Sequence, residues 1–356
     1  MMVAMPSPRA AVLLLLPILL CATAVHAGGR SEPAGPEPQH IVVVTPDAVD
    51  AHPLYEMAVS AVTSVVEDTP GLELEVIRTE GRGDERLLES SRNPRVELMV
   101  IVGGALLETA AELADAQPAT DFLLVDGDLR GREHVAALRI NRREQAFLAG
   151  YVAGLRVAPQ GGSAAPSRRP GESPPSAGLL LETGLRQGEE IVRPAYILGV
   201  RAAAGENAVR TERLPLGAAP SVLRARLAGM EQDGIPVLLP SLYSNRSVVA
   251  QALRESTLDL IWLDERSPDS ARGRTLVALP LHIEDTLAEM VTEVLEAGAG
   301  AVETREESFA TGGISLYVDT GRYTAAFDAE TRRRIERMAQ RLETGKLSLR
   351  MPEPAF

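Results

Sequence analysis

The sequence predicts an α/β chain in which two doubly wound parallel sheets follow one another. Three observations point there. Short apolar, often β-branched runs alternate with amphipathic helical stretches along most of the 356 residues, which is the pattern of βαβ units. The runs stop at Gly, Asp or Asn, as strands buried on both faces do. The alternation also runs through twice, in halves of similar size, on either side of a Pro-, Gly- and Ser-rich stretch at 157–177. Open parallel sheets bind ligands outside the carboxyl ends of their strands, so the residues that close each run are the ones to follow.

The first strand is expected at 40–45, followed by a loop at 46–53 and a helix at 54–67. A strand at 72–77, a short helix at 84–91, a strand at 97–102 closed by Gly103-Gly104, and a helix at 105–116 follow. The stretch 121–155 is the centre of the pattern. Its apolar run 122–125 stops at Asp126-Gly127-Asp128, and a second run, 135–140, stops at Asn141. An amphipathic helix then carries Phe147, Tyr151 and Leu155 at a spacing of four. Residues 157–177 hold five prolines, three glycines and four serines, the composition of a solvated surface insertion. Beyond it the alternation resumes: strand 178–181, helix 188–204, strand 208–214, helix 221–232, strand 235–239, helix 244–255, and strand 258–263 ending at Asp264-Glu265. The segments 276–281, 283–297, 314–318 and 328–344 are read as crossings that tie the halves together.

The amino-terminal 27 residues are expected to be a secretory signal. Arg9 is the only charge before the apolar stretch 10–20, and Val25-His26-Ala27 ends a small-residue cleavage site. The apolar stretch is too short to span a bilayer and contains Pro17. Residues 28–39 read as a tether. Cys21 is the only cysteine, so removal of the signal leaves no disulfide and no thiolate metal site. Ile18-Leu19-Leu20-Cys21 also resembles a lipid-attachment box, although Leu20 is larger than the residue usual before such a cysteine; cleavage and lipidation at Cys21 are both open. Asp and Glu outnumber Lys and Arg, 49 to 36, which argues against nucleic acid and against adhesion to anionic lipid.

The segment Glu144-Gln145-Ala146-Phe147-Leu148-Ala149-Gly150-Tyr151 resembles the "EGSFLAGY" block of the basic membrane protein family, which includes the purine nucleoside receptors of ABC transporters. Leu98 to Gly104, LMVIVGG, is similar to that family's third strand and glycine turn. Asp121 to Asp126, DFLLVD, is similar to its "KFAIID" strand. Trp262-Leu263-Asp264 stands where the family has "GVD", and Gly312-Gly313 to Val318 with Gly345-Lys346 resembles its "GVV…SGKI" tail. The likeness covers nearly the whole chain after the signal, and the block around Phe147 is its most specific part. It implies a type I periplasmic-binding-protein fold: two doubly wound lobes joined by three crossovers, with a ligand in the cleft between them. The lobes would be 40–141 with 277–302, and 142–276 with 303–346, leaving 347–356 as a tail.

The resemblance also implies the ligand contacts. Family members hold a nucleoside between two aromatic rings and place carboxylates on the ribose hydroxyls. Tyr196, three residues before Gly199, matches one stacking position; the competing reading is a core tyrosine. Asp47 or Asp50 matches the family aspartate after strand one, where no aromatic stands before Tyr55. His52 is either a weak stacking partner or an exposed loop residue. Asp264 matches the family carboxylate at a strand end, or caps the next turn. Asp126 and Glu182 are the acidic residues at two further strand ends. The family's glycine turns are replaced, by Glu182-Thr183 after one strand and by Pro240-Ser241-Leu242-Tyr243-Ser244-Asn245 after another, which brings Ser241 and Tyr243 to the cleft. His282 stands where the family often has Lys. These departures bear on nucleoside specificity more than on fold.

No nucleophile–base–orienter spacing accompanies the carboxylates Asp126, Glu182 and Asp264, and there is no HExxH, GxSxG or P-loop. His52 and His282 are scattered singles with respect to metal binding. The chain is therefore expected to be neither enzyme nor metalloprotein and to need no cofactor. The expectation is an exported, periplasmic or envelope solute receptor, with a small nucleoside-like ligand and an ABC transporter permease as partners, and membrane attachment only through lipid at Cys21. The alternative is a sensor or envelope interaction protein of the same descent with altered or lost ligand binding.

Overall fold

The structure, a computed structural model, describes residues 38–46, 52–79, 84–129, 131–158, 176–205, 209–215, 217–242, 251–266 and 273–350. The expected signal, most of the tether and of the 157–177 insertion, most of the helix at 244–255, and Asp47, Asp50 and Tyr243 lie outside the described residues.

Two six-stranded sheets carry the fold. In the first, β1 (Gln39–Pro46), β2 (Leu72–Thr79), β3 (Val96–Val102), β4 (Asp121–Val125), β5 (Val135–Ile140) and β11 (Arg305–Glu307) lie in the order β11-β5-β4-β3-β1-β2, all parallel. In the second, β6 (Ala177–Glu182), β7 (Val209–Leu214), β8 (Val237–Ser241), β9 (Asp259–Asp264), β10 (Thr275–Pro280) and β12 (Tyr317–Val318) lie in the order β12-β10-β9-β8-β6-β7. Among the described strands, β12 alone departs from parallel pairing, lying antiparallel to β10. The two orders are the same order, so each strand of the first sheet has a counterpart in the second; β4 corresponds to β9.

Both sheets are covered on both faces, which is why their strands read as continuous apolar runs. Along β1, Ile41 and Val43 pack towards α1 (Pro53–Asp68), while Val42 and Val44 face the side of α2 (Glu85–Arg92) and α3 (Leu107–Ala116). In the second sheet Leu179 and Leu181 lie in the core shared with α4 (Arg142–Val157) and α5 (Arg193–Ala204). Leu180, Leu238 and Trp262 face α6 (Pro220–Gln232). α5 is preceded by a π-helical turn, Gly188–Val192. α4 and α5 cross so closely that a Cβ on Gly150 would sit 2.1 Å from the Tyr196 carbonyl oxygen, and one on Gly199 2.1 Å from that of Phe147. Glycine at both positions is what lets the two backbones meet.

Among the described residues, the chain changes sheet three times. It leaves β5 for α4 at Asn141, leaves β10 for α7 (Glu284–Ala297) after Pro280, and leaves β11 for β12 after Glu307. The division expected from the sequence put the last two at 277 and 303. The crossings lie side by side. Asn141 N–H donates to the Glu307 carbonyl (2.7 Å) and its side-chain amide to Glu306 Oε1 (2.9 Å). His282 N–H donates to Gly313 O (2.9 Å), and Thr286 Oγ1 to Glu307 Oε1 (2.6 Å). Last in the chain, α8 (Thr320–Ala326) packs on β10 and α9 (Ala329–Glu343) on α4.

Candidate functional site

The carboxyl ends of the two sheets converge on one point. β4 passes into Asp126, with φ 61°, and β9 ends on Asp264, with φ 74°; these are the non-glycine residues of positive φ among the described residues. Aspartate tolerates this left-handed region better than most L residues. Each strand also reads Asp-x4-Asp, Asp121 to Asp126 and Asp259 to Asp264. The duplicated architecture thus brings one strand-end carboxylate from each lobe to the same place.

Between them stands Arg142, the first residue of α4 and 1% exposed at its side chain. Its Nη2 donates to Asp126 Oδ2 at 2.8 Å and its Nε to the same oxygen at 3.1 Å. Its Nη1 donates to Asp264 Oδ1 and, at 2.8 Å, to Gln145 Oε1. Gln145 Nε2 in turn donates to Asp264 Oδ1 (3.0 Å) and to the Leu279 carbonyl (2.8 Å). From the loop after β6, Gln187 Nε2 donates to Asp126 Oδ1 at 3.0 Å. Charge-assisted bonds in a dry site are strong and mutually reinforcing.

The first lobe adds His52 and Tyr55. His52 caps α1, its Nδ1 accepting from Leu54 N–H at 3.2 Å. Its proton therefore sits on Nε2, 3.5 Å from Asp264 Oδ2. The Tyr55 ring lies 4.9 Å from the His52 ring. Its hydroxyl lies against Gly103, where an added Cβ would be 3.1 Å away. Gly103 has φ 94°, so it supplies both the turn after β3 and the room for the phenol. Burial, and then the Asp126 charge, push the Tyr55 phenol well above its ordinary pKa. Burial also raises Asp126, outweighing the Arg142 guanidinium beside it.

Of the residues expected from the sequence, the structure brings together His52, Asp126 and Asp264. Glu182 ends β6, is 4% exposed, and is near enough to add to the field on Tyr55. Ser241 ends β8, buried, in register with Leu181. Tyr196 stands apart: it is fully buried and its hydroxyl donates to the Gly178 carbonyl (2.9 Å), near the start of β6, at the opposite end of that strand from Glu182. That is the core reading of this tyrosine. His282 is exposed at a crossover, its Nε2 2.8 Å from Ser315 Oγ. Sequence reasoning missed Arg142, Gln145, Gln187 and Tyr55. A signal existed for Arg142: a cation on the first turn of a helix opposes the helix dipole, so something other than the helix must hold it there.

A family model described as ABC transporter substrate-binding protein, PnrA-like (Bmp), matches residues 38–306. The chain belongs to the Bmp family. Solved structures agree at the level of fold. A solute-binding protein of an ABC transporter system from Aeropyrum pernix K1 superposes with a TM-score of 0.68 at 16% identity, over 89% of this chain and 95% of that one. A solute-binding protein from Conexibacter woesei DSM 14684 gives 0.55 at 16% identity, over 88% and 98%. A transcriptional activator of the comK gene from Bacillus halodurans gives 0.59 at 15% identity, over 86% and 98%. The fold is that of type I periplasmic binding proteins. Bmp-family proteins are substrate-binding proteins of ABC transporters: they take up a solute outside the cytoplasm and have a permease as partner. Among the described residues, no helix is long and apolar enough to cross a membrane. Among the same residues, no group of three or more His, Cys, Asp or Glu is placed to hold a metal ion.

Proposed function

We propose that the chain is the exported, non-enzymatic receptor of an ABC importer and that it takes a small polar, nucleoside-like solute between its lobes. The observation that carries the reading is the meeting of Asp126, Asp264 and Glu182, at strand ends of the two sheets, with His52 at the start of α1. Carboxylates there are suited to accept from sugar hydroxyls, and residues from both lobes give a solute unequal contacts in open and closed forms, which is what drives hinge closure. Asp47, Asp50 and Tyr243, from the segments after β1 and β8, would complete the contacts. The three adjacent crossovers are the natural pivot. Export would place the mature chain in the periplasm or envelope, by signal cleavage or by lipid on Cys21.

The test is a thermal-shift screen of the mature chain against nucleosides, sugars and amino acids, followed by calorimetric titration with Asp264→Asn. Stabilisation by nucleosides that the substitution weakens supports the reading. A flat response to all three classes sinks it. One observation favours a second reading, a Bmp-family sensor or envelope interaction protein that has altered or lost solute binding: the strand-end carboxylates are already engaged by Arg142 and Gln145. The flat screen is the outcome that reading expects.

A further inference from the structure

Arg142 occupies a position that its own helix opposes and that two carboxylates from opposite lobes reward. It stands at the positive end of the α4 dipole, buried, with Asp126 taking its Nε and Nη2 and Asp264 its Nη1. Both aspartates adopt left-handed backbone, at corresponding ends of β4 and β9. A planar fork of N–H donors is the group that such a pair holds well; an ammonium, a compact point charge, does not reproduce it.

We infer that Arg142 is the specificity-determining residue of the interlobe site, an internal guanidinium bound where a solute's own planar cation would bind. A solute that takes the Asp126 and Asp264 oxygens held by Arg142 must exchange with it. Guanidinium- or amidinium-bearing compounds are the class that can do so without leaving either carboxylate unpaired. A neutral hydroxyl solute that displaced Arg142 would strand a buried charge, so a nucleoside-like solute is held with Arg142 in place. The inference rests on the proposed function for the place of the solute; the occupancy of the two carboxylates by Arg142 stands without it.

The experiment is chemical rescue in the full chain. Arg142→Ala is unfolded thermally with millimolar methylguanidinium, methylammonium or sodium chloride at equal ionic strength. The variant is expected to melt below the wild type. Methylguanidinium should recover roughly 2–4 °C of the loss, the other two salts nothing, and the wild type should not respond. Adding Asp264→Asn should abolish the rescue. Should Arg142→Ala not fold, Arg142→Gln, which keeps much of the length, takes the same series. Equal response to all three salts, or a variant as stable as the wild type, overturns the inference. Rescue together with a flat solute screen of the wild type overturns the transport reading and leaves the role of Arg142 standing.

Discussion

Glu144 shows how one side chain can join distant parts of a chain. It lies on the first turn of α4, where a carboxylate suits the helix dipole. Its oxygens nevertheless reach outwards, Oε2 accepting from Phe309 N–H (3.4 Å) and Oε1 from Leu349 N–H (3.3 Å). Burial outweighs these bonds and holds its pKa above the ordinary glutamate value. For an acid raised by folding, the native state binds the proton more tightly than the unfolded state. Its contribution to stability is therefore fully present below the unfolded pKa, about 4.3, and is lost as pH rises through the folded value. Urea midpoints of the wild type should fall across that window relative to those of Glu144→Gln, which has no such proton to lose. Parallel profiles would count against the assignment. Glu144 was legible as part of the EQAFLAGY block; its neighbour Arg142 was not, because two arginines at a helix start resemble a solvated pair and the carboxylates that hold Arg142 are 16 and 122 residues away.

At the level of elements, the crossing of α4 and α5 carries the sharpest constraint. Gly199→Ala would drive a methyl group into the Phe147 carbonyl, a clash with backbone that no side-chain rotation relieves. It is expected to cost about 3 kcal/mol or more, read from chemical unfolding. Tyr196→Phe, on the same helix, removes the donor to the buried Gly178 carbonyl and should cost about 1–3 kcal/mol. A change in solute affinity without that loss would return Tyr196 to the site. The apolar strands were legible because burial on both faces leaves an unbroken hydrophobic run. β8 was placed two residues early because Ile235-Pro236 continues the run ahead of Val237. β11, Arg-Glu-Glu, was invisible: an edge strand of three residues held by backbone bonds to β5 has no apolar signature. The helix Thr320–Ala326 was missed for a similar reason, since it buries Tyr323 and adds little more than Ala326 to the core.

Across the whole molecule, the carboxyl-terminal segments are tied back by the other aspartate of β9. Asp259, 1% exposed, accepts from Arg156 Nε of α4 at 2.8 Å and from Arg322 Nε of α8 at 2.6 Å. Asp259→Ala should cost about 2–3 kcal/mol, below the figure for a fully buried pair because both arginines can turn to water. Urea unfolding checks the size, and a second, earlier transition would show α8 and α9 coming away on their own. The sequence carried the two-lobed plan because the alternation of elements is repeated in full. It did not carry the state of the site, which depends on side chains that meet only once both sheets are built.

One adjacency in α4 has a mechanical consequence. Asn141 is fastened to the strand that re-enters the first sheet, while the very next residue spans the gap and grips both lobes. Fulcrum and catch are consecutive residues. If the lobes hinge as proposed, releasing the catch leaves the fulcrum untouched, and a bond broken at one guanidinium would be read out as travel at the far rims of both lobes.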